Sequence, residues 1–159
     1  MRVTAVGTSG GLPTATYGTS CVYLELFGDR ILLDCGEGSQ QRLMRYDSSP
    51  NVDAVLISHL YADHTLGVPG LVQALEMNDR ERPLRLYVPE GRTRRATDLV
   101  EGAYGRPTYP LEIHGYGGDE PAISTDDYRV QPFETPYTEH SHGFVVEETP
   151  KREFRVENA

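Results

Sequence analysis

The sequence predicts an α/β fold in which helices cover mixed sheets. Two observations carry this. Short β-branched apolar runs crowd the first part of the chain, at 2–6, 21–27 and 30–34, and from residue 52 onward strand-like runs alternate with segments of helical spacing. A chain patterned this way buries helix faces against sheets in layers. At 159 residues it reads as a single domain, 1–159, long enough to bury about two-thirds of its unfolded surface if it folds alone.

Taken in order, Arg2, Val3, Thr4, Ala5 and Val6 make a strand that ends at Gly7. The loop 7–18 carries four glycines and Pro13, so it is irregular and able to bring its backbone close to a ligand, or is a plain connector. The strands at 21–27 and 30–34 flank Gly28-Asp29, a short hairpin signal. Asp34 stands where the second of them gives way to Gly36-Glu37-Gly38, ahead of a helix from about 39 to 46 whose N-terminal dipole would favour an acid there. Pro50-Asn51 reads as a turn, 52–57 as a strand and 69–78 as a helix with Leu71, Val72 and Leu75 on its spacing. A strand at 85–88 is closed by Pro89, and a helix at 91–104 carries Arg92, Arg94 and Arg95, which read as a solvated face. A short strand at 111–114, a glycine loop at 115–121 and strands at 128–134 and 143–148 complete the chain.

Composition narrows the class. No apolar run approaches the ~20 residues that span a bilayer, and the N-terminus lacks a signal-peptide pattern, so a cytoplasmic protein with no membrane partner is expected. The two cysteines, Cys21 and Cys35, are too few for a disulfide framework and read as small buried hydrophobes. There are 24 acidic against 15 basic residues, and Lys151 is the only lysine. An acidic surface nearly free of lysine is how a halophilic, haloarchaeal protein stays in solution in strong brine. Acidity ordinarily argues against a nucleic-acid substrate, but in molar salt the Debye length falls to ~3 Å and the objection weakens.

Chemistry concentrates in one stretch. Val55-Leu56-Ile57 leads into Ser58-His59-Leu60-Tyr61-Ala62-Asp63-His64, a polar segment with two histidines and an aspartate leaving a buried strand. Imidazole nitrogen and carboxylate oxygen are ligands that zinc takes, and such close spacing lets a loop wrap an ion. A plainer reading keeps His59 and His64 as polar loop residues, one of them capping the helix that follows Gly67. The Asp63-His64 pair favours metal.

This stretch resembles the His-x-His-x-Asp-His signature of the metallo-β-lactamase superfamily, with tyrosine at the second histidine. Four further blocks resemble ribonuclease Z, the tRNA 3′-processing endonuclease, in that family's order: Gly7-Thr8-Ser9-Gly10-Gly11-Leu12-Pro13-Thr14, Asp34-Cys35-Gly36-Glu37-Gly38-Ser39-Gln40, Leu66-Gly67-Val68-Pro69-Gly70-Leu71 and Pro83-Leu84-Arg85-Leu86-Tyr87-Val88-Pro89-Glu90-Gly91. The resemblance implies an αββα sandwich, present here as its N-terminal half: a mixed β-sheet with flanking helices. It implies zinc as cofactor, with His59, Tyr61 and a later residue on one ion, Asp63 and His64 on a second, and Asp63 also holding the nucleophilic water. Asp34 would orient a ligand histidine through its second ring nitrogen. Aligning Gly143-Phe144 with the family's Gly-Tyr puts Tyr137 at the later position, so two histidines of one ion are replaced by phenols, which titrate near pH 10 and ligate poorly at neutral pH. His140 and His142 stand close enough in sequence to substitute, although the plainer reading keeps them as exposed polar residues before a strand.

Precursor tRNA is the substrate the resemblance implies, cut by a two-metal hydrolysis. Because the family's length is about twice this chain's, the expectation is a truncated, impaired enzyme that needs a homo-oligomer or a completing partner chain to cover its open sheet face. Two alternatives stand beside it: a non-catalytic homologue or subunit that binds a partner chain or RNA, and another metallo-β-lactamase-fold hydrolase acting on a thioester or lactone.

Overall fold

The computed structural model describes residues 1–46 and 51–150. Of the turn expected at Pro50-Asn51, Pro50 lies outside the described residues. The elements run β1 Arg2–Gly7, β2 Cys21–Leu26, β3 Asp29–Leu33, α1 Ser39–Leu43, β4 Ala54–Leu56, α2 Ala62–Thr65, α3 Gly67–Met77, β5 Leu84–Pro89, α4 Thr93–Ala103, β6 Leu111–Tyr116, β7 Ile123–Ser124, β8 Tyr128–Glu134 and β9 His142–Glu148.

Strands β1 to β6 form one mixed sheet in sequence order, and β7, β8 and β9 form a second. The first three strands are antiparallel neighbours. Leu26 pairs with Asp29, so the β2–β3 turn is Phe27-Gly28, one residue earlier than the Gly28-Asp29 expected. Both turn residues have positive φ, 49° and 93°, the backbone a two-residue hairpin needs to match strand twist. From β3 to β6 the pairing is parallel, and each parallel step needs a crossover, which α1, then α2 and α3, then α4 provide.

The first sheet is buried on both faces, and β4 shows how one short strand serves two cores. Val55 points to the helical side, packing with Leu71, Val72 and Leu75 of α3 and Ala96 and Val100 of α4. Ala54 and Leu56 point to the other side, where Leu24, Leu26 and Ile31 meet Ile123, Tyr128 and Val130 of the second sheet. All three β4 residues are fully buried, which is why the run is apolar without alternation. The layers are therefore helix, sheet, sheet. The open sheet face expected from the sequence is largely closed by β7–β9. What stays open is its β1 margin, where Val3, paired with buried Leu24, is 58% exposed. No helix among the described residues is long and apolar enough to cross a membrane.

Candidate functional site

The site forms where β3 and β4 end at their carboxyl edges, the usual place for ligands in open α/β sheets. Asp34, one residue past β3, has φ 61°, a left-handed conformation that aspartate tolerates. Its N–H donates to the Leu56 carbonyl at 2.8 Å, so the turn keeps the two strand ends together. The turn aims the carboxylate at the loop after β4. Oδ1 accepts the Ser58 N–H at 2.7 Å, and Oδ2 accepts the hydroxyls of Ser58 at 2.9 Å and Ser20 at 3.1 Å. Nδ1 of His64 lies 2.6 Å from Oδ2. Asp34 is thus the group against which His64 is held.

His64 sits in α2, a single turn that the sequence reading did not resolve because four residues carry no periodicity. Its Nε2 is 3.2 Å from Asp63 Oδ2, so the imidazole lies between two carboxylates. Burial alone would lower its pKa, but the hydrogen bond to Asp34 and the charges of Asp34 and Asp63 together raise it. His59 goes the other way: burial, then the neighbouring His64, lower its pKa. The two rings are 4.0 Å apart between centroids. His59 Nδ1 is 3.0 Å from Ser58 Oγ, whereas its Nε2 is buried without a hydrogen-bond partner.

Tyr61 and Tyr137 both converge on His59. Their ring centroids lie 4.8 and 5.5 Å from the imidazole, edge-on, and 6.4 Å from each other. Tyr137 comes from the loop between β8 and β9, far along the chain. Both phenols are largely exposed and roof a buried histidine. His142 is engaged on its own neighbours: its N–H donates to the Ser58 carbonyl at 3.0 Å, its Nδ1 is 3.1 Å from the His140 carbonyl and its ring meets Tyr116 edge-on. His140 lines a cleft of about 180 Å³ together with His59, Tyr61, Arg92 and Arg95. Of the three arginines read as a solvated face, Arg94 and Arg95 are exposed, Arg94 reaching Asp98 at 3.8 Å, and Arg92 is half-buried; Arg92 and Arg95 also line this cleft. The glycine loop also reaches the site, since a Cβ on Gly11 would stand 3.9 Å from Asp63 Oδ2.

These residues do not add up to a zinc site. Among the described residues no group of three or more His, Cys, Asp or Glu side chains is placed to hold a metal ion. The physical reason is local. Asp63 and His64 contact each other, Asp34 takes the other nitrogen of His64, and the rings facing His59 are phenols. Among the described histidines and carboxylates, His59 Nε2 is the buried atom left without a partner.

Three contributors escaped the sequence reading. Ser58 and Ser20 hydrogen-bond Asp34, and Tyr116 donates to the Ile57 carbonyl at 2.6 Å, bracing the strand end before Ser58. Ser58 could have been found from its place beside His59; Tyr116, at the end of β6, carries no local signal.

A helix-backed mixed sheet with a His/Asp loop at its carboxyl edge defines a metallo-β-lactamase-fold protein. The fold agrees with a solved metallo-β-lactamase-fold protein, YhfI from Bacillus subtilis, at TM-score 0.76 and 21% identity over 91% of this chain and 57% of that one. More particularly, residues 1–103 match the family model described as Anti-Pycsar protein Apyc1, and the chain belongs to that family. It is 42% identical to the ribonuclease Z of Natronomonas pharaonis over its whole length, which covers 52% of that protein. It also matches human tRNase Z, short form, at TM-score 0.78 and 26% identity, over 93% of this chain and 64% of that one. The chain spans about half the length of the curated relatives it matches, and it corresponds to their N-terminal half.

Proposed function

We propose that this chain serves the 3′-end processing of precursor tRNA in the cytoplasm of a halophilic archaeon, as a ribonuclease Z-like protein whose own half of the zinc centre is impaired. The observation that carries this is the meeting of Tyr61 and Tyr137 at His59. Positions that the ribonuclease Z resemblance assigns to one ion come together in space, and two of the three bear phenols. In that family a pair of zinc ions supplies the activated water; the residues present here do not complete such a pair. Arg92 and Arg95, in the cleft beside His59, offer the cations that RNA phosphates need.

Binding and cleavage of a precursor tRNA carrying a 3′ trailer, assayed in molar KCl with zinc, separate the parts of this reading. The expected outcome is retention of the precursor without release of the trailer. Cleavage at the rate of a full-length ribonuclease Z would refute the impairment, and absence of binding would refute the RNA role. A non-catalytic subunit that pairs with a second copy or a partner chain is favoured by one observation, the exposed Val3 margin beside buried Leu24. Sedimentation velocity in the same salt decides it: reversible self-association supports it, and a monomer at every concentration counts against a second copy.

A further inference from the structure

We propose that Ser58 is a positioning residue: with Asp34 behind it, it holds His59 in the tautomer that keeps the proton on Nδ1 and leaves Nε2 as a bare acceptor. The hydrogen-bond count assigns it. Ser58 Oγ has one proton and three neighbours, Asp34 Oδ2 at 2.9 Å, His59 Nδ1 at 3.0 Å and His64 Nδ1 at 3.2 Å. His64 Nδ1 already faces Asp34 Oδ2 at 2.6 Å. If the hydroxyl donates to the Asp34 carboxylate, its oxygen is free to accept from His59 Nδ1–H, and two hydrogen bonds form in a chain that runs from imidazole to hydroxyl to carboxylate.

If the hydroxyl turned to His59 Nδ1 instead, the bond to a carboxylate would be lost and only one bond would remain. The other ring nitrogen would then carry a buried hydrogen with no acceptor. Bonds to a charged acceptor are about twice as strong as neutral ones, and chained bonds reinforce each other. The backbone of Ser58 is fixed on both sides. Its N–H is fixed on Asp34 Oδ1 at 2.7 Å, its carbonyl accepts from His142 N at 3.0 Å, and the residue is 9% exposed.

The consequence lies on the far side of the ring. His59 is 6% exposed and its Nε2 has no partner, so the fold maintains a buried lone pair directed at a ligand that must be a cation or a hydrogen-bond donor. A bare, buried acceptor is costly to keep, and an unassisted ring would gain nothing from this choice of tautomer. The relay rests on the reading of the site as one half of a ribonuclease Z-like centre only for what Nε2 is for; the tautomer itself follows from the geometry around Ser58.

The experiment is nitrogen-15 NMR of the five histidines in the whole chain, in molar KCl and at a pH where the rings are neutral. In the unaltered protein the His59 Nδ1 resonance should fall at the protonated end of the range and Nε2 at the unprotonated end. Ser58→Ala should shift His59 toward the opposite tautomer, and Ser58→Thr, which keeps the hydroxyl, should restore it. Asp34→Asn, whose amide keeps one acceptor oxygen for the Ser58 N–H but puts an N–H donor where Oδ2 accepts the hydroxyls, should weaken the bias without abolishing the fold. A His59 that carries its proton on Nε2 in the unaltered protein, or one unmoved by Ser58→Ala with the fold intact by amide spectra, overturns the proposal. Zinc titration of Tyr61→His with Tyr137→His, with and without Ser58→Ala, reads the site separately. Loss of zinc affinity with Ser58→Ala supports the relay, whereas no zinc binding in either protein refutes the half-centre reading and leaves the tautomer result standing.

Discussion

Asp34 concentrates the behaviour of the site in one carboxylate. By accepting from Ser58, Ser20 and the His64 ring it makes the loop after β4 rigid at the point where His59 and His64 leave it. Its field reaches the two cysteines, which are both buried and unpaired. The Cys21 thiol is pushed up to about 12, first by burial, with a Ser39 hydrogen bond opposing and the charge of Asp34 adding to the rise. Cys35 moves well upward, again chiefly by burial. Two outcomes follow. Thiol-specific reagents at pH 8 should modify neither cysteine in the folded protein and both once it is unfolded, because the thiolate is the nucleophile. The folded state holds these protons longer than the unfolded one, whose thiols titrate near 9.0. The contribution of the two cysteines to stability should therefore be level below about pH 9 and be lost as pH climbs toward 12; urea midpoints from about pH 9 upward at fixed salt measure it.

At the scale of elements, most of the fold was legible because burial imposes a period. The strands at 128–134 and within 21–27 and 30–34, and the helices α3 and α4, all show the apolar spacing their faces require, and β4 shows instead the unbroken apolar run of a strand buried on both faces. What was not legible has a physical reason in each case. Strand β7 is two residues long and α2 four, too short for a pattern. The β2–β3 turn slipped by one because Phe27 takes a positive φ that its sequence does not announce. In the site, His59, Asp63 and His64 were readable from their spacing, whereas Tyr137 was found only through a family resemblance and Ser58 was overlooked. Tertiary convergence, unlike period, leaves no local trace.

Two glycines give a test with opposite signs. A Cβ on Gly67, at the start of α3, would collide with the backbone carbonyls of Gly36 and Cys35, the latter already accepting the Gly67 N–H at 2.9 Å. Gly67→Ala should cost at least about 2 kcal/mol. Gly102, inside α4, has open space around its would-be Cβ. Gly102→Ala should stabilise by about 0.5–1 kcal/mol. Denaturant titration of both variants checks the packing of α3 on the site.

For the whole molecule, the formal net charge of −9 sets the conditions under which the layers hold. Self-repulsion among carboxylates opposes compaction and is screened by salt. Raising KCl from about 0.1 M to molar concentration should lift the melting temperature by at least about 4 °C, on the order of 1–2 kcal/mol for a chain of this size. A melting temperature independent of salt would mean that the acidic surface has no role in stability. Screening would also let phosphate approach a protein of this charge, as the proposed RNA role requires of the cleft at Arg92 and Arg95.

The account turns on the aromatic roof over His59. Its most direct test is zinc content per chain, by elemental mass spectrometry on protein purified in high salt without chelator, for the unaltered chain beside Tyr61→His with Tyr137→His. The account predicts no stoichiometric zinc in the first and about one ion per chain in the second, since three imidazoles would then face one point. About two ions in the unaltered chain, or an unchanged zero after both substitutions, would contradict it.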